Sequence, residues 1–162
     1  MTTIIGIDPG SQRTGYGIIQ IEGNQHIHVA SGTIDLMRIA KTLRLRKLYL
    51  VLQEIVQLYQ PMEAAIEQVF MHANPSSALK LGQARGAALV AFDHIPVSEY
   101  SAKEVKKSVV GYGAATKEQV QFMVARLLNV KNTLSQDAAD ALAIAWCHAQ
   151  ARIMKKIGET SR

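Results

Sequence analysis

The sequence predicts an α/β fold in which a mixed five-stranded sheet, made of an antiparallel meander and parallel strands, is flanked by helices. Two observations favour it. Three short runs rich in β-branched residues follow one another before residue 34, and from about residue 41 helical periodicity alternates with short apolar runs. Consecutive strands followed by alternating helices and strands are typical of a mixed sheet covered by helices.

The meander is predicted over residues 3–8, 14–21 and 25–33. β-Branched side chains are enriched there, and these side chains favour strands. Glu22, Gly23 and Asn24 separate the second run from the third and supply the turn of a hairpin. Because so short a connection joins only antiparallel neighbours, the second and third strands are expected to pair in that way.

A helix is predicted to follow over about residues 41–59. Apolar residues recur there at helical spacing, and the pattern stops at Gln60 and Pro61 because proline cannot continue a helix. The periodic residues are Leu45, Leu48, Leu52, Ile55 and Tyr59. This stripe is expected to form part of a dimer contact, and packing on the sheet explains it equally well.

Residues 63–67 predict the fourth strand, and a helix is predicted to follow to about residue 92. Asn74 provides the capping side chain of that helix and Pro75 its first-turn residue. Gly82 and Gly86 lie one turn apart within it. We expect these two small residues to let the helix approach the sheet closely.

Residues 97–100 predict the fifth strand. Thr116 and Gln119 have the spacing of a capping box, which predicts a helix through residue 128. Ser135 begins the last predicted helix. The chain is therefore expected to form one domain over residues 1–162, a length that can bury a sizeable core.

Composition narrows the class of protein. The chain has no run of 18 apolar residues, and Met1 leads straight into a strand-like run instead of a signal sequence. We therefore expect a soluble, cytoplasmic protein that does not enter a membrane. The single cysteine, Cys147, lies among Ala145, Trp146 and Ala149 and is expected to be a small buried hydrophobe, not a nucleophile.

The net charge of +5 and the pI of about 9.4 favour a polyanionic partner. The basic residues are clustered, which is also typical of solvated helix faces. If the clusters share one face, contacts with phosphates would make binding steeply salt-dependent. The clusters are Arg38, Lys41, Arg44, Arg46 and Lys47; Lys103, Lys106 and Lys107; and Arg152, Lys155 and Lys156.

Four of the thirteen acids lie in apolar surroundings, where an ionised carboxylate is costly unless it is paired or bound to a cation. Asp8 and Glu67 each end a strand-like run. Asp137 and Asp140 are three residues apart at the start of the last helix, so they share one helix face. Each also has a structural interpretation, as a turn residue, an ion-pair partner or a partner of the helix dipole.

Taken together, four carboxylates without neighbouring cysteine or histidine ligands suit Mg²⁺ or Mn²⁺ and suit Zn²⁺ poorly. Such a site is well suited to phosphoryl transfer with two metal ions. The five histidines form no ligand set, and the sequence lacks the Gly-x-Ser-x-Gly motif of a serine hydrolase. His148, two turns beyond Asp140, is open to a supporting role at the site or to a position facing solvent.

Five segments in order resemble the RuvC family of bacterial junction resolvases, and together they cover about residues 3–150. The segments are Ile5-Gly6-Ile7-Asp8-Pro9-Gly10-Ser11 with Thr14-Gly15-Tyr16-Gly17; Ala65-Ile66-Glu67-Gln68-Val69-Phe70-Met71; Ala78-Leu79-Lys80-Leu81-Gly82-Gln83-Ala84-Arg85-Gly86; Val109-Val110-Gly111-Tyr112-Gly113; and Asp137-Ala138-Ala139-Asp140-Ala141-Leu142-Ala143.

The resemblance implies a ribonuclease H-like fold and a homodimer that cuts four-way (Holliday) junction DNA by paired, symmetric nicks in recombination and repair. It implies two Mg²⁺ ions per active site, with Mn²⁺ as a substitute, and the RuvA–RuvB branch-migration complex as a partner. By matching motifs, Asp8, Glu67, Asp137 and Asp140 are similar to the metal-binding carboxylates of the family.

The resemblance also assigns roles in DNA contact. Lys106 and Lys117 fall where lysines of the family meet DNA near the cut, and Phe70 resembles an aromatic residue that stacks on bases at the crossover. Without the resemblance, Phe70 is equally an ordinary loop hydrophobe. Residues 34–47 and the segment after Trp146 carry no strong motif, so DNA contacts there stay open.

Three alternatives remain. An actin-like sugar kinase or ATPase also begins with Ile-Asp-x-Gly, but it needs a second phosphate loop and about twice this length. A catalytically inactive module that binds branched DNA would gain nothing from four acids facing phosphate. A nuclease of the same fold that acts on another substrate, such as an RNA–DNA hybrid, is the third.

Overall fold

A computed structural model describes residues 1–68 and 74–160 of the chain, the last six of them by their backbone only. Five strands form one sheet in the order β3-β2-β1-β4-β5. The strands are β1 (Thr2–Asp8), β2 (Arg13–Glu22), β3 (Gln25–Asp35), β4 (Glu63–Glu67) and β5 (Val97–Tyr100). The predicted mixed sheet is confirmed, since β1 pairs antiparallel with β2 and parallel with β4.

The meander forms as the sequence predicts. Strand β2 pairs antiparallel with β3, and the register shifts between Ile18 and Ile19. Gly23 in the hairpin turn has a φ of 58°, a left-handed conformation that glycine adopts without steric cost. β2 and β3 are each longer than the predicted runs.

The described part of the chain contains five α-helices, four of which the sequence predicts. A short 3₁₀ turn, Lys41–Leu43, leads into the first of them, and Gln60 ends that helix in a left-handed conformation with a φ of 44°. Capping boxes at Ser101 and Thr116 begin the third and fourth helices. The helices are α1 (Arg44–Tyr59), α2 (Pro75–Ala91), α3 (Ala102–Val110), α4 (Lys117–Leu127) and α5 (Gln136–Thr160).

The helices cover both faces of the sheet. Alternate side chains of β1, including Ile5 and Ile7, pack with α1 and α2 on one face. Ile4 packs with α3, α4 and α5 on the other face. Helix α5 is buried almost continuously from Ala138 to Ala145, which makes it the central element of the second layer.

Two features differ from the predictions. Helix α3 is absent from them, although Ser101 and Glu104 have the spacing of the capping box that begins it and Val105 and Val109 lie one turn apart on its buried face. The expected role of Gly82 and Gly86 is wrong: a Cβ atom built on either glycine meets nothing within 4 Å. The small residues that pack into the core from α2 are three alanines, Ala84, Ala88 and Ala91.

Two expectations drawn from composition concern Cys147 and the membrane. Cys147 is a buried free thiol, as expected. None of the helices in the described part of the chain combines the length and the apolar character needed to cross a membrane.

Candidate active site

Asp8 and Glu67 are the last residues of two neighbouring parallel strands, β1 and β4. Ile7 lies opposite Ile66 in the register. Asp8 and Glu67, which follow these two residues, therefore lie at the same end of the sheet. Alternation along the strands turns both carboxylates towards the face that α5 covers. This arrangement has a local origin, because an apolar run stops at an acid in both strands.

Helix α5 supplies the other two acids from its first turn. Its start is capped by Ser135, whose hydroxyl oxygen accepts a hydrogen bond from the Ala138 N–H at 3.2 Å. Gly6 and Gly15 allow the helix to lie directly on the sheet. A Cβ atom at Gly6 would clash with the main-chain carbonyl of Ala141, and one at Gly15 with that of Asp137.

One cavity of about 200 Å³ brings together three of the four carboxylates and both lysines singled out from the sequence. Its polar lining consists of Asp8, Glu67, Asp140, Lys106 and Lys117. Its other walls come from α3, α4 and α5 and are apolar: Ala102, Val105, Val120, Ala143 and Ile144. These apolar side chains remove hydration from the carboxylates and offer them no hydrogen-bond donors.

Burial and mutual repulsion make these acids hard to ionise. Burial raises the pKa of Asp8 to about 7, and the charges of Asp140, Glu67 and Asp137 add to the effect. The pKa of Glu67 is raised by burial and then by Asp140. The pKa of Asp140 is also raised, chiefly by burial. A carboxylate cluster with this property calls for a cation.

The two lysines provide only part of the missing positive charge. The Lys117 amine lies 3.8 Å from the Asp140 carboxylate, and the Lys117 side chain is exposed. Lys106 is half-buried, and its charge lowers the pKa of Glu67 and of Asp140, against the larger effect of burial. Both amines therefore lie at the cavity with donors available for an incoming anion.

Asp137 lies beside the cavity and does not line it. Its Oδ2 accepts a hydrogen bond of 3.4 Å from the Thr33 hydroxyl, which is also 2.8 Å from the Ser135 hydroxyl. Asp140 accepts a bond of 3.0 Å from the Gln136 side-chain amide. Sequence reasoning missed Thr33 and Gln136. Only the spacing of Gln136 and Asp140, four residues apart on one helix, could have indicated the second of them.

The donor set fits a hard divalent cation. Asp8, Glu67 and Asp140 offer only oxygen atoms, and the cavity lining contains no histidine or cysteine. Within residues 1–68 and 74–154, no three acid, histidine or cysteine side chains are arranged to hold a metal ion as they stand. Unscreened like charges keep such groups apart, so we expect the carboxylates to draw together around a cation.

Comparison with known proteins identifies the family. The family model for "Crossover junction endodeoxyribonuclease RuvC" matches residues 4–148. The chain belongs to the RuvC family. RuvC from Acinetobacter baumannii is 55% identical over 153 residues, which cover 93% of this chain and 84% of that protein. RuvC from Geobacter sulfurreducens is 52% identical over 157 residues, covering 95% and 96%.

A solved structure gives the same result at the level of the fold. The Thermus thermophilus RuvC structure in complex with Holliday junction substrate is 31% identical, with a TM-score of 0.86, and the match covers 94% of this chain and 96% of that chain. The resemblance to RuvC and the ribonuclease H-like fold class expected from the sequence are thereby confirmed.

Two further residues singled out from the sequence are Phe70 and His148. Phe70, which resembles the base-stacking aromatic residue of RuvC proteins, lies outside the described residues. His148 is buried: its Nδ1 shares a hydrogen bond of 2.8 Å with the Tyr100 hydroxyl, and its Nε2–H donates one of 2.6 Å to Glu63. Glu63 also pairs with Arg152 at 2.8 Å. His148 thus ties α5 to the start of β4. It faces neither solvent nor the carboxylates of the cavity.

Proposed function

We propose that this chain is a structure-selective DNA endonuclease that resolves Holliday junctions by hydrolysing phosphodiester bonds at the cavity of Asp8, Glu67 and Asp140. Membership of the RuvC family supports this substrate, as does the likeness to the Thermus thermophilus RuvC complex with a Holliday junction. The observation in this chain that carries the proposal is a half-buried group of acids whose charges repel one another beside two lysines. That arrangement has no structural benefit and suits metal-assisted hydrolysis.

The enzyme depends on a divalent metal, and we propose that the ion is Mg²⁺, two per active site, with Mn²⁺ as a substitute. The two ions would be held by Asp8, Glu67, Asp137 and Asp140. Bound there, the ions would supply the charge that activates a water molecule and steadies the leaving oxygen in an in-line displacement. The carboxylates keep these charges in place, and Asp8 gives up the proton that its raised pKa retains near neutral pH.

The lysines orient the substrate. An ammonium group donates up to three hydrogen bonds and has no acceptor, so Lys106 and Lys117 are suited to the non-bridging oxygens of the scissile phosphate. The apolar side chains of α3 and α4 that line the cavity reduce hydration there, which strengthens these contacts. We place Phe70 at the junction centre, where stacking on a base contributes about 1–3 kcal/mol.

A homodimer belongs to the proposal, because one junction needs two matched cuts and each chain carries one carboxylate site. We place its interface on the open face of α2. Leu79, Gly82, Gly86 and Val90 follow one helical stripe. Leu79 is 68% exposed and Val90 66%, and the space in front of both glycines is empty. A two-fold axis would pair this stripe with its copy.

The biological setting follows from the same activity. The RuvA–RuvB branch-migration complex is the partner that the family resemblance implies. A nuclease that resolves recombining chromosomes acts where the DNA lies, so the proposal includes the cytoplasmic location expected from the sequence.

The direct test compares three substrates with the same strand sequences: a four-way junction, a linear duplex and an RNA–DNA hybrid. We expect Mg²⁺-dependent cuts, symmetric and ligatable, in the junction alone. Cleavage of the hybrid at an equal rate would identify a nuclease of this fold with another substrate. Binding of the junction without any cleavage would instead identify the inactive binding module.

Mixed dimers test the pairing of the two cuts. Dimers of one wild-type and one Asp8→Asn chain are expected to nick a supercoiled cruciform plasmid once, which gives open circles. Wild-type dimers are expected to give linear product. Linear product from the mixed dimers within one binding event would contradict the two-site dimer.

A further inference from the structure

A second cavity, of about 290 Å³, lies at the same end of the sheet as the carboxylates. Its floor contains Leu36 and Ala84, which belong to the layer of α1 and α2, so it opens on the opposite face of the sheet. Residues 10–12 of the loop after β1 line this second cavity, and Asp8, which lines the first, ends the strand before that loop. Gly10 is two residues beyond Asp8, so the Cα atoms of the two residues are at most about 7 Å apart.

The lining of this second cavity is basic. Lys41, Arg44 and Lys80 contribute three positive charges, and no acidic residue takes part. Among the described residues, none of the three basic side chains forms an ion pair. Ser11, Gln12 and Gln83 add neutral polar groups. Such a lining suits an anion with several oxygen atoms.

Arg44 is held in position before any ligand arrives. Its Nε donates to the Ile39 carbonyl at 3.0 Å, and one terminal nitrogen donates to the Met37 carbonyl at 3.2 Å. A guanidinium has five N–H groups, so further donors stay available. Lys41 precedes it on the 3₁₀ turn, and Lys80 reaches the cavity from α2. Basic side chains from three elements therefore line one cavity.

We propose that this basic cavity binds the phosphodiester backbone of the junction arm that continues from the scissile phosphate across the loop of residues 10–12. Each DNA strand carries one phosphate per 3.4 Å of rise. A strand with one phosphate at the carboxylates therefore brings the following phosphates within reach of Lys41 and Lys80. The inference rests on the proposed function and names a positioning subsite for it.

The test measures junction binding against salt concentration in an Asp8→Asn background, which prevents cleavage. The variant is Lys41→Gln with Lys80→Gln; Arg44 stays because it holds two main-chain carbonyls. The matched control is Arg126→Gln with Lys131→Gln, two exposed basic residues towards the other end of α4. Both pairs remove the same charge.

We expect the slope of log affinity against log salt to fall by about two units for the Lys41 and Lys80 pair and to stay unchanged for the control. Over a fourfold change in salt, this corresponds to roughly a tenfold smaller loss of affinity. Equal slopes in the variant and its control would overturn the subsite. Failure of the parent protein to bind junctions at all would overturn the proposed function instead.

Neutral methylphosphonates at single phosphates near the cut locate the contact. One or two positions on the continuing arm should weaken binding by the parent protein and have no effect on the double variant. Positions that weaken both proteins equally throughout would contradict the assignment. A titration with inorganic phosphate separates a small-anion site: phosphate binding that needs Lys41 and Lys80, with DNA affinity equal to the control, would also overturn it.

Discussion

The main-chain carbonyl of Asp137 lies against Gly15, in space that any Cβ atom would occupy. Strand β2 therefore sets where α5 begins, although β2 contributes no carboxylate itself. Asp140 follows within one turn of the same helix, so we expect this contact to influence where its carboxylate lies. The geometry of the proposed metal site thus depends on a glycine outside it.

The substitution Gly15→Ala tests this dependence. We expect it to lower the free energy of unfolding by about 3 kcal/mol, at the upper end for overpacking, because the clash is with main-chain atoms. This corresponds to a fall of roughly 10 °C in melting temperature. Cleavage at temperatures below the transition should also slow. Gly113→Ala is the control, because a Cβ atom there meets only the flexible Lys103 side chain. An equal fall in the melting temperature of both variants would count against the contact between Gly15 and Asp137.

Replacing each proposed metal ligand by its amide tests the chemistry. Asp8→Asn, Glu67→Gln, Asp137→Asn and Asp140→Asn should each slow single-turnover cleavage in Mg²⁺ on the order of a thousandfold or more, since amides are poorer ligands of similar shape. Junction binding in a gel-shift assay should persist. Glu54→Gln, an exposed acid on α1, should cut normally. Near wild-type rates in two of the four variants would show that the site assignment is wrong.

The pKa of Asp8 predicts how the metal-free protein responds to pH. Folding raises this pKa from 3.8 to about 7, so ionisation of Asp8 costs folding free energy. Below about pH 4 this loss of folding free energy is absent. It grows as the pH rises towards 7 and reaches its full size above about pH 7. Asp8→Asn should therefore raise the melting temperature of the metal-free protein at pH 8 more than at pH 5.

Divalent cations should oppose the advantage that Asp8→Asn has over the wild type in the metal-free state. A cation that binds the folded wild type stabilises it by mass action. At pH 8, Mg²⁺ should raise the melting temperature of the wild type and leave that of Asp8→Asn nearly unchanged. Below pH 7, the affinity for Mg²⁺ should weaken as Asp8 takes up its proton. The charge repulsion itself is tested without metal at pH 8. If metal-free Asp8→Asn melts at or below the temperature of the metal-free wild type, the proposed repulsion is contradicted.

The two lysines should affect the rate of cutting more than binding. Lys106→Ala and Lys117→Ala each remove an amine that faces the cavity, so single-turnover cleavage at saturating protein should fall by about 10²–10³-fold. Lys107→Ala, an exposed neighbour on α3, should only weaken binding and reduce its salt slope by about one unit. If Lys106→Ala behaves like Lys107→Ala, Lys106 does not contact the scissile phosphate.

The open face of α2 predicts the oligomeric state of surface variants. Leu79→Glu with Val90→Glu places like charges on the proposed two-fold interface and should give a monomer in sedimentation velocity. Leu58→Glu changes a side chain on α1 that is 72% exposed and should leave the dimer intact. The reverse result would place the interface on the exposed face of α1. The apolar stripe of α1 is a different face, because its residues Leu48, Leu52 and Ile55 are buried in the core.

The sequence is most informative where one local signal determines the structure. An apolar run that ends at Asp8 or Glu67 already places the carboxylate at the edge of a sheet, and Thr116 and Gln119 announce the start of α4. Such signals depend on neighbours within four residues. The five strands and four of the five helices follow from signals of this kind.

Features that depend on distant residues could not be derived in this way. The capping box at Ser101 and Glu104 could have indicated α3, but only the tertiary structure shows that this helix forms a wall of the cavity. The hydrogen bond from Thr33 to Asp137 joins residues 104 positions apart. Gly82 and Gly86 indicate a close approach by their size, yet only the tertiary structure reveals that they face outward.

The almost continuous burial of α5 from Ala138 to Ala145, interrupted at Asp140, also bears on how this protein can evolve. Each residue added to a helix turns everything after it by about 100°. A single insertion between Asp137 and Asp140 would therefore swing the later acid off the cavity and rotate the helix's buried face out of register with the sheet. The exposed hairpin turn around Gly23 has no such coupling, so changes in chain length over the history of this enzyme are expected to collect there and to spare the start of α5.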